Sequence, residues 1–252
     1  MKIATWNVNG IRARKDDVAA FLDRESPDIL CLQEIKALPD QIPAPLCELS
    51  DYWCYWHGMK GYSGVGLHVH KRLAFDRPQF MHPEFDHQTR IVVADLAGVS
   101  VASIYVPNGG KDFPGKMAFL RAMQAYAASA RAIGRNLILC GDLNIARTEN
   151  DVHPTERDDR AVGQRPEERA LFEEILDSGG LHDVGRELDP SNDHLYTWWA
   201  PWRNMRQRNI GWRLDYVLTS GPLTARARSA ASLREVGTSD HAPVIVTFDD
   251  HE

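Results

Sequence analysis

No stretch of this 252-residue chain comes near the roughly 20 consecutive apolar residues that a bilayer-spanning helix needs, so a membrane helix is excluded. Cysteine is scarce. Cys31, Cys47, Cys54 and Cys140 form no Cys-x-x-Cys pair, and two of them fall in apolar runs, which reads as reduced, buried thiols of a cytosolic protein. Low-complexity linkers and solenoid repeats are missing too, so one domain over residues 1–252 is expected. A positive excess is also absent. The formal charge of -6 argues against a general nucleic-acid coat protein, although it leaves a DNA enzyme open, because a metal site itself needs carboxylates. The first residues, Met1 to Asn7, run straight into a strand-like segment, so no signal peptide is expected and the location is read as cytoplasmic.

What is present is ordinary for a folded globular chain: 43% hydrophobic and 25% charged residues, enough apolar material for a sizeable core. Strand signals cover Lys2–Trp6, Ile29–Leu32, Val65–His70, Ile91–Leu96, Val99–Val106, Leu137–Cys140, Leu214–Thr219 and Val244–Phe248. Val18, Phe21 and Leu22 share one helical face ahead of Pro27, and a clear helix spans about Lys116–Ile133 with Phe119, Met123, Tyr126 and Ala130 on one stripe. Another spans about Pro166–Asp177, opened by proline and closed by Gly179-Gly180. Strands outnumber helices and many alternate, which predicts two packed sheets with helices outside. Charge is unevenly spread: Arg203, Arg206, Arg208 and Arg213 form an acid-free basic stretch interleaved with Trp202 and Trp212, whereas Asp249 to Glu252 make an acidic tail.

Several apolar strands end in unusual polar groups. They are Asn7-Val8-Asn9-Gly10, Gln33-Glu34, Tyr105-Val106-Pro107-Asn108, Gly141-Asp142-Leu143-Asn144 and, just before the last strand, Ser239-Asp240-His241. Each has a bland explanation alone. Asp142 and Asn144 suit a turn whose side chains bond local backbone, Asn7 suits a helix cap, Glu34 a loop start, and Asp240-His241 a surface pair. Together they place many oxygen donors at strand ends, where layered α/β proteins bind ligands. Without cysteine or paired-histidine spacing, that donor set suits a hard cation such as Mg²⁺ or Mn²⁺ rather than zinc.

On these blocks, together with Gly61-Tyr62-Ser63-Gly64-Val65-Gly66 and Gly211-Trp212-Arg213-Leu214-Asp215-Tyr216, the chain closely resembles the exonuclease III family of AP endonucleases, within the endonuclease/exonuclease/phosphatase superfamily. The resemblance runs from Trp6 to Pro243. It implies a DNase I-like fold: a four-layer α/β sandwich of two mixed sheets flanked by helices. It implies an Mg²⁺-dependent phosphodiesterase (Mn²⁺ a substitute) that incises double-stranded DNA 5′ to abasic sites, with 3′-phosphodiesterase, 3′→5′ exonuclease or altered-base incision as further activities. The resemblance gives the metal to Asn7 and Glu34, with Asp240 beside it. Asp142 would position and deprotonate the attacking water, steadied by Asn144, and both carry a second role as ligands of a further metal. His241 would touch the scissile phosphate, oriented by Asp215. Tyr105 and Asn108 would contact phosphate or the leaving oxygen.

The same resemblance gives the walls of the lesion pocket to Trp198, Trp212 and Leu214, which accept a nucleotide turned out of the duplex. Trp198 replaces the Phe of the best-known eukaryotic members, so a differently shaped pocket is expected. Trp202 stands where the family inserts a residue into the DNA stack, Arg12 is given a substrate contact, and Lys111 stands where some members carry Arg. Residues Thr148 to Arg165 match the family poorly, and only Arg157 and Arg160 are given a phosphate role there. A monomer on abasic or 3′-blocked duplex DNA is expected, nucleoid-associated if bacterial, with no membrane partner. Two other readings remain: a phosphatase or lipid phosphodiesterase of the superfamily, and a DNA-binding module without catalysis.

Overall fold

A computed structural model describes residues 1–249; Asp250, His251 and Glu252 of the acidic tail lie outside the described residues. The first half runs β1 (Lys2–Asn7), α1 (Lys15–Glu25), β2 (Ile29–Gln33), α2 (Ala44–Cys47), β3 (Tyr52–Met59), β4 (Tyr62–His70), β5 (Gln79–Met81), β6 (Ile91–Leu96) and β7 (Val99–Tyr105). The second runs α3 (Phe113–Ala132), β8 (Asn136–Asp142), α4 (Pro166–Gly179), β9 (Leu181–Asp183), α5 (Val184–Leu188), β10 (Asp215–Ser220), α6 (Gly221–Thr224), β11 (Ala227–Ser232) and β12 (Val244–Phe248).

The strands form two six-stranded sheets, in the orders β11-β12-β1-β2-β4-β3 and β5-β6-β7-β8-β10-β9. Both are mixed: β1 with β2 and β7 with β8 are parallel, and the other named pairs are antiparallel. The period of two along each strand divides the side chains between layers. Ile3, Ile29, Cys31, Val65 and Leu67 of the first sheet meet Val92, Val101, Ile138, Cys140 and Val217 of the second in one core. The alternate residues Ala4, Trp6, Leu30 and Leu32 face outward and are covered by Val18, Phe21 and Leu22 of α1. On the far side Ile91, Ala102, Leu139 and Leu218 are covered by Phe119 and Met123 of α3 and Leu171 and Phe172 of α4. Each fully buried aliphatic group contributes about 1.5–3 kcal/mol, so three stacked cores across four layers account for the expected sandwich. Among the described residues no helix is long and apolar enough to cross a membrane.

The expected strands are all present, with ends that agree or differ by one to three residues, and the α1 face and the α3 stripe are as read from the sequence, while α4 starts at Pro166 as expected and runs on to Gly179. α3 begins earlier than predicted because Asp112 caps it, accepting from the Gly115 amide at 2.9 Å, with Pro114 in its first turn. Four strands were not foreseen: β3, β5, β9 and β11. β5 and β9 have only three residues each, and β3 and β11 are edge strands without a fully buried face.

Register sets up the site. β1 and β2 pair Asn7 with Gln33, so Glu34 follows directly beside Asn7. β7 and β8 pair Tyr105 with Asp142, and β8 and β10 pair Asp142 with Asp215. His241 stands shortly before β12, the neighbour of β1. The polar strand ends therefore gather at one end of the sandwich, where both sheets contribute.

Candidate active site

The site is best built outward from Gly141. Its φ is +155°, and a Cβ there would lie 1.8 Å from the Ile104 carbonyl oxygen. Only glycine lets β8 run this close to β7, and that approach delivers Asp142 to the sheet end. Beyond it the chain turns. The Asn144 amide donates to Asp142 Oδ1 at 2.9 Å, and Asn144 sits at φ +52°, a left-handed geometry that asparagine tolerates better than most residues. The local turn and the site are the same structure.

Asp142 is fully enclosed. Its Oδ2 accepts from Asn7 Nδ2 at 2.8 Å and from Asn144 Nδ2 at 3.3 Å. Asn7 Nδ2 also donates to Glu34 Oε2 at 3.0 Å, so one amide bridges two carboxylates. Lys36 Nζ lies 2.8 Å from the other Glu34 oxygen and donates to Asn9 Oδ1 at 2.6 Å. Asp240 receives Asn9 Nδ2 at 2.8 Å and the Trp198 indole N–H at 3.1 Å. Asn108 donates to Asn144 Oδ1 at 3.2 Å. Asn7 does not cap α1, whose first flanking residue is Arg14; its Oδ1 accepts from the Asn9 amide instead.

His241 is buried, and its Nδ1 lies 2.8 Å from Asp215 Oδ2 while its Nε2 lies 3.8 Å from Asp142 Oδ2. Burial alone would lower the imidazole pKa, but Asp215, then Asp142, override it and push it up to about 10. The ring is therefore a cation at neutral pH, with Nδ1–H donating to Asp215 and Nε2–H on the side of Asp142. Burial pushes Asp142 up to about 7, helped by Asp215 and opposed by His241. Burial, with Glu34 and Asp142 nearby, also raises Tyr105, so its phenol stays protonated. Asp240 goes the other way: burial raises it, but His241, Asn9 and Trp198 outweigh this and hold it low.

Asp142, Asp215 and His241 each present one atom within 4.8 Å of the others, but Nδ1 is hydrogen-bonded to Asp215 while Nε2 stands 3.8 Å from Asp142, beyond hydrogen-bond reach, so the trio reads as a charge-coupled relay rather than a ligand set. The oxygens of Glu34, Asn7, Asp142 and Asp240, with Lys36 and His241 beside them, are of the kind that would suit a hard cation. A second grouping, His57, His82 and Asp86, is different in kind. The two imidazoles stack with centroids 3.8 Å apart and planes 28° from parallel, so their lone pairs do not converge on one point. His57 pairs with Asp86 at 2.6 Å, and His82 is bonded by Tyr55 and the Ile91 carbonyl.

The pocket residues are contiguous with this centre. Trp198 packs edge-on against Trp212 at 5.6 Å and lies 6.5 Å from the His241 ring, and Leu214 joins the two tryptophans in one apolar cluster. Trp199 is core, 1% exposed. Thr197 Oγ1 accepts the amides of Leu214 and Asp215 at 2.9 and 3.1 Å, tying the pocket wall to the partner of His241. Two clefts open from the centre. One, about 460 Å³, is lined by Asn9, Arg14, Trp202, Arg203 and Asp240; the other, about 300 Å³, by Tyr62, Arg90, Tyr105, Asn108 and Lys111. A cavity of about 550 Å³ beside Arg24, His194 and Arg234 holds none of the candidate residues.

Trp202, Lys111 and Arg12 are exposed and stand outside the hydrogen-bonded cluster. Arg157 reaches the Glu149 and Val152 carbonyls, and Arg160 pairs with its neighbour Asp158, so neither joins the centre. The basic stretch needs correction. Arg213 is buried between Asp151 and Asp183, and Arg206 is spent on the carbonyls of Arg234, Val236 and Ser239. Both are structural, which leaves Arg203 and Arg208 on the surface. Conversely, Asn9, Lys36 and Thr197 carry no role in the sequence reading, although Asn9 stands inside one of the blocks quoted there.

A family model described as the Endonuclease/Exonuclease/phosphatase family matches residues 4–241. An exodeoxyribonuclease of Bacillus subtilis is 33% identical over 251 residues, covering 97% of this chain and 98% of that protein. The chain spans 37% of Recombination repair protein 1 of Drosophila melanogaster, at 33% identity over 253 residues. Among solved structures, a 3′ phosphatase from Neisseria bound to a product DNA hairpin superimposes with TM-score 0.89 at 32% identity, covering 99% of this chain and all of that one. An AP endonuclease from Archaeoglobus fulgidus does so with TM-score 0.87 at 28% identity, again covering 99% of this chain and 100% of that one. The chain belongs to the endonuclease/exonuclease/phosphatase family, on its exonuclease III and AP endonuclease branch.

Proposed function

We propose that the protein is a Mg²⁺-dependent DNA-repair phosphodiesterase that incises duplex DNA 5′ to abasic sites and clears blocked 3′ ends. The observation that carries this reading is the juxtaposition of the relay, Asp142–His241–Asp215, with an aromatic cluster, Trp198–Trp212–Leu214, whose Trp198 ring lies 6.5 Å from that of His241. A superfamily phosphatase would need the relay alone; a catalytically silent module would need neither. The Neisseria and Archaeoglobus fulgidus relatives bear on the two substrate classes named here.

Hydrolysis of a phosphodiester needs an aimed water, positive charge against the phosphate and help for the departing 3′-oxygen. Asp142 Oδ2, held by Asn7 and Asn144, accepts the proton of the attacking water. The His241 imidazolium, kept charged by Asp215, donates from Nε2 to a nonbridging oxygen. Tyr105, held protonated, donates to the phosphate or the leaving oxygen, and Asn108 steadies Asn144 beside it. Asn7 and Glu34 would hold Mg²⁺ (or Mn²⁺), with Asp240 beside them, and the ion would supply further positive charge at the phosphate. Asn144 is assigned to the water and phosphate rather than to a second ion, because its Oδ1 already accepts from Asn108. Trp198, Trp212 and Leu214 enclose an extruded abasic sugar and exclude water from it.

Trp202, 59% exposed, is assigned the wedge role in the duplex. Arg12 and Lys111 are assigned backbone phosphates. The described site draws on residues from Asn7 to His241 of one chain, which supports action as a monomer and as one domain over 1–252. A cytoplasmic location, at the nucleoid if bacterial, is assigned with this reading, because the substrate proposed is duplex DNA.

One labelled duplex series tests the reading: an abasic site, a blunt 3′ end, a 3′-phosphate or a uracil, each with Mg²⁺ or EDTA. The expected result is an EDTA-sensitive nick 5′ to the abasic site and release of the 3′-phosphate. Equal cleavage with EDTA, or no cleavage of any duplex, overturns it. In the same assay Trp202→Ala should weaken binding of abasic duplex about tenfold while leaving saturated turnover unchanged, since one lost stacking contact is worth roughly 1–3 kcal/mol.

A further inference from the structure

The catalytic turn is held from behind by a buried ion pair. Lys116, in the first turn of α3, and Glu168, in the first turn of α4, are both 0% exposed. Their charged groups touch. Lys116 Nζ also donates to the main-chain carbonyl of Asn144 at 2.7 Å. Glu168 Oε2 accepts the amide of Gly163 at 2.7 Å, and the Gly163 carbonyl accepts the amide of Ala146 at 2.7 Å. A closed circuit thus runs from Asn144 through Lys116, Glu168 and Gly163 back to Ala146, two residues past where it began.

The circuit sits against both halves of the site. Asn144, at φ +52°, is one of the two residues whose side-chain amides donate to Asp142, and its left-handed backbone, which asparagine tolerates, is held by the Lys116 ammonium on its carbonyl. Gly163, at φ +95°, is packed so closely that a Cβ would lie 3.1 Å from the Asn144 carbonyl oxygen and 3.2 Å from the Trp212 ring. A charged pair is a costly way to fill a core, and apolar residues of similar volume often serve as well or better for stability. What apolar residues cannot do is grip a particular carbonyl and a particular amide on two different loops.

We propose that Lys116 and Glu168 are positioning residues: the pair fixes the Asn144 backbone, and so the aim of the Asp142 water, and locks the loop at Gly163 to the same frame beside Trp212. This rests on the phosphodiesterase reading above. The two residues touch no substrate; they act through Asn144 and Gly163.

The test separates positioning from stability. Lys116→Met should melt well below wild type, because Glu168 is left buried and unpaired. The double variant Lys116→Met with Glu168→Leu should recover most of the melting temperature. Its turnover on abasic duplex should nonetheless stay at least thirtyfold below wild type, with KM within threefold, because the carbonyl grip is still missing. A double variant that melts near wild type and turns over within threefold of it overturns the proposal. If the double variant does not fold, Gly163→Ala supplies the decision, since its Cβ presses on the Asn144 carbonyl from the loop side. Turnover lowered tenfold or more supports the proposal, and unchanged turnover overturns it. The wild-type arm keeps the two readings apart: a wild-type enzyme that cuts no duplex sinks the phosphodiesterase assignment and this proposal together, whereas an active wild type with an equally active double variant sinks only this one.

Discussion

Asp142 sits where its carboxylate is worth most and costs most, wholly buried between Asn7, Asn144 and the edge of the His241 ring. Such preorganised groups act because no reorganisation is needed as charge develops, and losing one typically lowers turnover roughly a hundred- to thousandfold. Asp142→Asn and His241→Ala should each show at least that loss in single-turnover nicking of abasic duplex, with the melting temperature within a few degrees of wild type. Near-normal cleavage by either variant would remove these residues from the mechanism. At this scale the acidic members of the site were legible, because an apolar strand that stops on Glu34 or Asp142 is conspicuous. His241 is legible in the same way. Lys116 is not: in the sequence it marks only the start of a helix, and its meeting with Glu168 of a different helix needs the fold. Arg213 misleads in the opposite direction: it stands beside Trp212 in a basic run, yet its guanidinium is spent on Asp151 and Asp183.

Elements are where packing replaces pattern. The loop after β8 is anchored less by its own sequence than by Arg213, whose Nε donates to Asp151 at 2.7 Å and whose two terminal nitrogens reach Asp183 at 2.9 and 2.5 Å. Arg186 shares Asp151, and Arg147 lies 3.5 Å from Asp183. Removing one partner from a buried pair leaves charge uncompensated, at a cost of about 3–5 kcal/mol. Arg213→Leu should therefore lower the unfolding free energy measured in urea by a corresponding amount, whereas Arg208→Leu, on the exposed part of the same run, should lower it by less than about 0.5 kcal/mol. If the two substitutions cost the same, Arg213 is not the anchor. Residues 148–165 match the family poorly, and the chain outside them supplies part of their order: Arg213 holds Asp151 from 62 residues away, and Glu168 holds the Gly163 amide. β11, with its exposed Arg228, Ser229 and Ala231, was missed for a related one, since an edge strand needs no continuous apolar face.

β4 supplies a titrating core group. His68 is 1% exposed and meets the Trp56 ring edge-on at 4.5 Å, and burial pushes its pKa down to about 4. The unfolded chain holds the same imidazole near pKa 6.5. Between those values the unfolded state binds the proton and the folded state does not, so stability is intact above about pH 6.5 and falls as pH drops toward 4. The gap corresponds to roughly 3 kcal/mol at most. Urea unfolding from pH 7 to 4 should show this decline, and His68→Leu should flatten part of it. An unchanged slope in the variant would mean that other groups carry the acid dependence.

At the scale of the whole molecule the question is how a chain of formal charge -6 takes a polyanion. Its site concentrates Glu34, Asp142 and Asp240, so the long-range field at the centre opposes DNA until a cation is held there. Favourable contact must come from the rim, where Arg12, Lys111, Arg203 and Arg208 are exposed and two of them line the clefts. With Arg206 and Arg213 committed to the interior, few surface cations remain on this face. The binding constant should therefore fall with salt less steeply than for a basic DNA-binding domain, because each phosphate contact adds about 0.9 to the slope of log K against log salt. Lys111→Gln should reduce that slope by about one and weaken abasic and intact duplex alike, while Trp198→Ala should weaken only the abasic duplex and leave the slope untouched. Fluorescence anisotropy at four salt concentrations decides it. Were Lys111→Gln to discriminate between the two duplexes, the rim would be reading the lesion, and the division between a charged rim that holds DNA and an aromatic pocket that selects it would fall.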